Sequence, residues 1–416
     1  MDNLSGLLSS SYNLISDAAP SPVEHASVRT SESKPLTSNE CSLRKLTVFV
    51  GGSVGSDPYS SKTWSGTSPF LLNALDGACL LEKAVGIKVS EPVNSFLMAR
   101  NFNRNRAAWR KHFYFDPAYR NALTRAAKGV KVDSPICLQI GAMFSLPEAF
   151  PDKKCISYSD GNLAELLNSG FGMDGISAKR IDQALRYEEQ VSQQMTAVFT
   201  FSEHLRQSFI SNYHVRPERV FNVGGAVNLT DIPTRDASKD YTVPRILFIG
   251  TEFNRKGGPQ LLEAFRTVRP AVPAAELHIV GPAHLDQLPP GAICHGHLSK
   301  ADPAQKLKLE SLFRNSTLFV LPSLYEPFGI APLEAMLYQL PCVVTDAWAL
   351  REFVTPGFNG DLVAKGSVDD LATKLTQMLS SPERLATMGQ QGRELALSRY
   401  TWPSVAHRIA TTVRDL

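Results

Sequence analysis

The chain reads as an α/β protein built from two doubly wound units that face each other across a cleft. Three observations predict this. Its 416 residues exceed what one ordinary core organises and suit two domains. Short apolar runs of strand length alternate with longer amphipathic stretches, the pattern of a parallel sheet covered on both faces. The alternation breaks once, over the polar segment 228–244 with its Pro233, Asp236, Ser238 and Asp240, and then restarts.

Each element follows from local composition. Residues 1–44 are rich in Ser, Pro and Asn with little apolar periodicity, and are expected to form a disordered leader. A first unit spans 45–232. Its opening strand is 46–50 (LTVFV), which ends at Gly51-Gly52; a loop of Gly and Ser leads to a helix beginning near Thr67. Further strands are expected at 135–140, 154–159, 196–201 and 219–223, separated by helices at 116–128, 177–195 and 203–213. A linker occupies 233–244. The second unit, 245–398, repeats the scheme, with strands at 246–250, 276–280, 317–321 and 341–345 and helices at 258–268, 303–313 and 332–338. Ser381 and Pro382 are expected to open a later helix as cap and first helical residue, and 399–416 form a last amphipathic helix. Ligands of doubly wound sheets sit at the carboxyl ends of the strands, so the loops there hold the candidate site.

Composition excludes several functions. A net charge of +3 gives no global case for nucleic acid. The six cysteines are scattered, with no Cys-x-x-Cys and no His at metal-ligand spacing, which reads as reduced core thiols of a cytoplasmic protein. No Asp-x-Asp occurs, so no metal or other cofactor is expected. The N-terminus lacks a basic segment followed by a long apolar run, and no stretch approaches the roughly 20 apolar residues that span a bilayer. The chain is expected to be soluble, or attached only to a membrane surface. Between Arg100 and Lys131 nine Lys or Arg stand against one acid, Asp116, interleaved with Phe102, Trp109, Phe113, Tyr114, Phe115 and Tyr119. A solvated helix face, a contact with anionic lipid and a site for an anionic acceptor all fit this stretch.

The chemistry concentrates in the run 326–334, EPFGIAPLE. Two carboxylates, Glu326 and Glu334, enclose seven residues that make a tight turn and a helix start. A helix N-terminus presents free N–H groups and a positive dipole end, which attract phosphate. A carboxylate on each side can accept from sugar hydroxyls, as a sugar nucleotide requires; Glu334 also suits a first helical turn on its own account. Arg255 and Lys256 precede Gly257-Gly258 at a second helix start, which fits a diphosphate site or a solvated loop. Gly66, in Trp64-Ser65-Gly66-Thr67, could let backbone N–H groups approach a phosphate, while a cap at Ser65 or Thr67 explains the same residues.

The Glu-x7-Glu run in the form EPFGIAPLEAM resembles the donor-site motif of the retaining glycosyltransferases of family 4, the glycosyl transferases group 1, which have the GT-B fold of two Rossmann-like domains. RILFIGTEFNRKGGPQLLEAFRTVR, ELHIVGPA and TLFVLPSLYEPFG are similar to that family's strands and loops in the right order, and SKTWSGTSPFLLNAL is similar to its N-terminal glycine loop and helix. The resemblance implies transfer of a hexosyl group from a nucleoside diphosphate sugar, the co-substrate, to the hydroxyl of a glycan, lipid or small-molecule acceptor. It implies that Glu334 holds the ribose and that Glu326 and the backbone at Phe328, Gly329 and Ile330 hold the hexose. Arg255, Lys256, the helix start near Leu333 and the Gly66 loop would stabilise the departing diphosphate. The loop of His297 would frame the base through its backbone, and 399–416 would cross back to the first domain. Many relatives carry a histidine near the reacting carbon; here Asp160 stands in that stretch, as a hydroxyl acceptor or as an Asp-Gly turn residue. Thr251 stands where the family often has a basic residue. An epimerase of the same fold, and a noncatalytic binder of sugar nucleotides or anionic lipid, are the rival readings.

Overall fold

The computed structural model describes residues 45–173 and 175–416; the leader expected over 1–44 lies outside them. Two six-stranded parallel sheets organise the chain. The first consists of β1 (Leu46–Gly51), β2 (Leu81–Ile87), β3 (Ile136–Ile140), β4 (Lys154–Ser159), β5 (Ala197–Thr200) and β6 (Val220–Asn222), in the order β2-β1-β3-β4-β5-β6. Its helices are α1 (Thr67–Gly77), α2 (Glu91–Arg100), α3 (Arg106–Tyr114), α4 (Pro117–Lys128), α5 (Leu146–Ala149), α6 (Leu163–Asn168), α7 (Ala178–Gln194) and α8 (Glu203–Tyr213).

The second sheet consists of β7 (Arg245–Ile249), β8 (Glu276–Val280), β9 (Ala292–Cys294), β10 (Leu318–Leu321), β11 (Cys342–Thr345) and β12 (Gly360–Val363), in the order β12-β11-β10-β7-β8-β9. It carries α9 (Gly258–Ala271), α10 (Pro303–Asn315), α11 (Ile330–Leu337), α12 (Leu350–Phe353), α13 (Val368–Leu379) and α14 (Pro382–Arg399), and the chain ends in α15 (Trp402–Asp415).

Central strands are mostly apolar because helices cover both faces; β3, β5, β10 and β11 are buried at every residue, Gln139, Thr200 and Thr345 included. Side-chain oxygens fix several helix starts: Asp116 accepts from Ala118 N, Ser177 from Arg180 N, Ser202 from Leu205 N and Asp302 from Gln305 N. Ser381 departs from expectation. Pro382 opens α14, but the Ser381 side chain makes no capping bond. Nor is the basic stretch one solvated face. Arg120 is buried, donating to the carbonyls of Tyr114 and Ala184, with its guanidinium over the rings of Phe115 and Tyr187.

Strand order reverses between β1 and β3 in the first sheet and between β7 and β10 in the second, so each sheet offers a crevice at those carboxyl ends. The halves touch directly. The Phe201 ring meets Phe328 edge-on at 5.1 Å, and Phe328 also packs on Phe353 and Tyr400. Glu352 of the second half accepts from the amides of Glu203 and His204, at 2.9 and 2.7 Å, in the first turn of α8. The last helix, α15, packs on α1; Arg408 Nε donates to Val223 O at 2.6 Å and Trp402 Nε1 to Asn228 Oδ1 at 3.1 Å. The segment between the sheets lies on the second half, with Tyr241 Oη donating to Gln339 O and Asp236 N to Gln339 Oε1, each at 2.7 Å.

Candidate active site

The crevice between β7 and β10 brings the charged motif residues together. β7 leads through Gly250 into the loop before α9. Gly257, at φ +75°, is the backbone cap of that helix, and a Cβ there would stand 1.9 Å from Pro322 O, so the loop passes against the segment leaving β10 where only glycine fits. Leu324 N donates to Arg255 O at 2.8 Å and ties the two loops together. Lys256 runs across Gly250, whose missing side chain leaves it room, and its ammonium donates to Glu326 Oε2. That carboxylate is buried, and Ser323 Oγ donates to the same oxygen at 3.3 Å. Arg255 donates through Nη1 to Tyr325 O at 2.6 Å and through Nε to Glu252 at 3.0 Å; Nη1 stands 3.9 Å from Glu326 Oε2. Arg255 therefore braces the loop, while Lys256 is the cation in direct contact with the carboxylate.

After the turn, Gly329 at φ +95° leads into α11, which begins at Ile330, two residues before the expected start. Pro332 still lies in the first turn, where its missing N–H leaves no gap, and no side chain caps this end. Leu333 is wholly buried, so only its backbone can serve a ligand, and Phe328 is a wedge between the halves. Glu334 is buried and accepts from Lys300 Nζ at 2.5 Å. Lys300 is not among the residues expected from the sequence; it meets Glu334 only through the fold. His297 lies in the same loop with an exposed side chain.

The opposite wall comes from the first half. Trp64 and Ser65 adopt left-handed backbone angles, φ +49° and +54°, followed by Gly66 at +86°. Such conformations cost non-glycine residues energy and persist where packing enforces them. Here the buried Trp64 ring stands on Tyr158 at 5.4 Å and Phe201 at 5.0 Å. The capping alternative for Ser65 or Thr67 fails: Gly66 is the cap of α1 and no side chain caps that end; Thr67 Oγ1 accepts instead from Asn228 Nδ2 at 3.0 Å.

Asp160 follows β4 on this wall, and its neighbour Gly161 lies against Pro327 of the second half. Desolvation lifts the Asp160 carboxyl above its ordinary range; a hydrogen bond from Trp64 and the residue's own amide oppose this, and repulsion from Glu326 adds to it. Tyr325, buried nearby, is pushed up by desolvation and by the charges of Glu165 and Asp160. Among the described residues no three His, Cys, Asp or Glu gather where they could hold a metal ion.

Residues 234–395 match the family model described as glycosyl transferases group 1. The chain is 28% identical over 228 residues to MMP alpha-(1->4)-mannosyltransferase of Mycolicibacterium hassiacum, a match covering 53% of this chain and 54% of that protein. The chain thus spans about half the length, or less, of the curated relatives it matches. Among solved structures, sucrose-phosphate synthase from Thermosynechococcus elongatus superposes with a TM-score of 0.65 at 16% identity, over 89% of this chain and 99% of that one. Anabaena Alr3699/HepE in complex with UDP and glucose superposes with a TM-score of 0.60 at 15% identity, over 89% and 100%. These likenesses establish the GT-B fold, and the match to the glycosyl transferases group 1 model lies within the second half of the chain.

Proposed function

We propose that the chain is a retaining glycosyltransferase that moves a hexosyl group from a nucleoside diphosphate sugar to an acceptor hydroxyl. The observation that carries this reading is the Lys256–Glu326 pair at the β7/β10 crevice, between the starts of α9 and α11. One small volume there offers a cation and backbone N–H groups for a diphosphate, beside a carboxylate for sugar hydroxyls. The domain division that goes with it is 45–232, a linker over 233–244, 245–398 for the donor, and 399–416 returning to the first half.

In this mechanism the bond between the anomeric carbon and the diphosphate oxygen breaks. The acceptor oxygen attacks the same face, and its proton passes to the departing phosphate oxygen. Charge grows on the diphosphate, and Lys256, Arg255, the start of α11 and the Gly66 loop meet it. Electrostatic preorganisation of this kind is commonly the largest catalytic contribution. Glu334 reads the ribose hydroxyls and Lys300 holds its carboxylate in place. Glu326 and the backbone from Phe328 to Ile330 orient the hexose. Asp160, held by Trp64, accepts a hydroxyl of the donor sugar or the acceptor.

The test is incubation with UDP-, GDP- and ADP-sugars, detecting free nucleoside diphosphate with and without candidate acceptors. Release of one diphosphate, together with a thermal shift by that nucleotide alone, supports the reading. A nucleotide that shifts the melting temperature while none of its sugars is ever cleaved identifies a binder and overturns it.

A further inference from the structure

We propose that the face formed by α2 and the loop into α3 docks on an anionic lipid surface. The helix α2 is an element with little to bury. Of its ten residues only Leu97 is buried. Val93, Phe96 and Met98 are 43%, 65% and 37% exposed, and Phe102, just past the helix, is 66% exposed. Val93 and Phe96, three residues apart, share one side of the helix, and exposed apolar side chains there need a partner, since a helix that faces water normally carries polar residues.

The face is nonetheless held in place. Trp109 Nε1 donates to Met98 O at 2.8 Å, the Phe102 ring meets Trp109 at 5.5 Å, and Asn101 Nδ2 donates to Asp116 Oδ2 at 2.6 Å. The aromatic groups are therefore presented by a fixed scaffold.

Charge selects the partner. From 92 to 115 there is no acidic residue. Arg104, Arg106 and Arg110 are exposed and make no ion pair among the described residues. Asp116, the next acid, is wholly buried and matched by Arg100 at 3.7 Å and Arg180 at 3.4 Å, so it cancels nothing outside. Exposed aromatic rings among arginines suit a bilayer interface, where the rings enter the headgroup region and the guanidinium groups meet anionic lipid. No helix among the described residues is long and apolar enough to cross a membrane, so the contact is peripheral.

The location also fits. Three residues separate the start of α2 from the carboxyl end of β2, the end of the sheet at which the cleft lies. A surface held there stands beside the mouth of the first half.

The experiment is vesicle co-sedimentation of the full chain with phosphatidylcholine alone and with added phosphatidylglycerol, at low and high salt. The wild type should bind the anionic vesicles and leave the neutral ones. Replacing Arg104, Arg106 and Arg110 together by Ser should weaken binding on the order of a hundredfold, about fivefold for each charge. Phe96→Ser with Phe102→Ser should abolish most of the remaining, salt-resistant binding. All five side chains lie outside the proposed donor site, so nucleotide thermal shift should stay as in the parent and reports folding independently of lipid. Absence of wild-type binding, or binding indifferent to both sets of substitutions, overturns the proposal. So does a concentration-dependent dimer that the phenylalanine changes dissolve while vesicle binding is absent throughout.

Discussion

The two walls of the cleft are built on the same sheet scheme but made differently. On the second half, opposite charges stand in contact: Lys256 with Glu326, and Lys300 with Glu334. Its loops are bound to each other by Leu324 N and Arg255 O, and Gly257 passes where no side chain fits. On the first half, Asp160 faces the cleft beside a tryptophan, and the glycine loop already holds two non-glycine residues at positive φ. One wall is specified by charge and close tolerance. The other is specified by packing beneath it and leaves latitude above. Recognition of a fixed diphosphate suits the first kind of wall, and recognition of a variable partner suits the second.

Exchanging glycines tests this contrast most severely. Gly257→Ala should lose donor binding altogether and cost on the order of 3–5 kcal/mol of stability, since a Cβ would stand 1.9 Å from a carbonyl oxygen at a positive φ. Gly66→Ala meets only Ser61 O at 3.1 Å, and its backbone penalty is about 1–2 kcal/mol. Urea denaturation and donor titration of both variants decide it; equal losses would mean the walls do not differ in tolerance.

Next in size are the cations. Lys256→Ala removes a charge-assisted contact of about 1.5–3 kcal/mol and leaves the buried Glu326 without its ammonium, so transfer should fall at least roughly tenfold. Arg255→Ala should lower transfer by a similar factor, with a visible loss of stability because its guanidinium braces two loops. Unchanged rates and unchanged nucleotide affinity in both would refute the assignment of the charged wall.

On the proposed mechanism the two carboxylates should divide the work. Glu334→Gln should weaken donor binding more than it slows saturated turnover, and Glu326→Gln should do the reverse, because the reacting sugar must be oriented within a fraction of an ångström. Donor dissociation constants and saturated rates separate the two effects; a silent Glu326→Gln would remove the proposed mechanism at the sugar carbon.

A smaller effect concerns the first half. Burial pushes Glu165 up to about 8, opposed by a hydrogen bond from Ser208 and reinforced by Glu352, while His204 Nε2 stands 3.3 Å from its Oε1. An unfolded glutamate titrates near about 4.3. Between these values the folded state holds the extra proton, so stability falls as pH rises through the window. Glu165→Gln should therefore stabilise the protein by roughly 1–3 kcal/mol at pH 8, with the gain vanishing toward pH 4. Denaturation curves at several pH values would contradict this if the gain were constant. Last, excess EDTA should leave transfer unchanged; a loss restored by added Mg or Mn would show that a metal had been overlooked.

What the sequence made legible follows the same division. Central strands carry continuous apolar runs, and the strand at 154–159 and the helix at 203–213 coincide with β4 and α8 to the residue. The strands not anticipated, β2, β9 and β12, are all sheet edges. With a neighbour on one side only, β2 and β9 bury little: β2 is half-buried or exposed at every residue but Ile87 and β9 at every residue, whereas β12 is buried at three of its four but is short. The charged motif could be read because glycine, proline and paired glutamates are local signals. Lys300 meets Glu334 only through the fold, and the left-handed Trp64 rests on the rings of Tyr158 in β4 and Phe201 just past β5. No local pattern records such contacts.

The amides of Glu203 and His204 find their acceptor in a carboxylate of the other half, while Leu205 N is served by Ser202 at home. The first turn of α8 is thus complete only while the halves are together. Parting them hands two backbone donors and the Glu352 carboxylate back to water, an exchange worth about 1.5–3 kcal/mol per bond. Solvent can replace these two bonds but not the contact of Phe328 with Phe201 beside them, so the polar part of the joint is the part that exchanges readily with water.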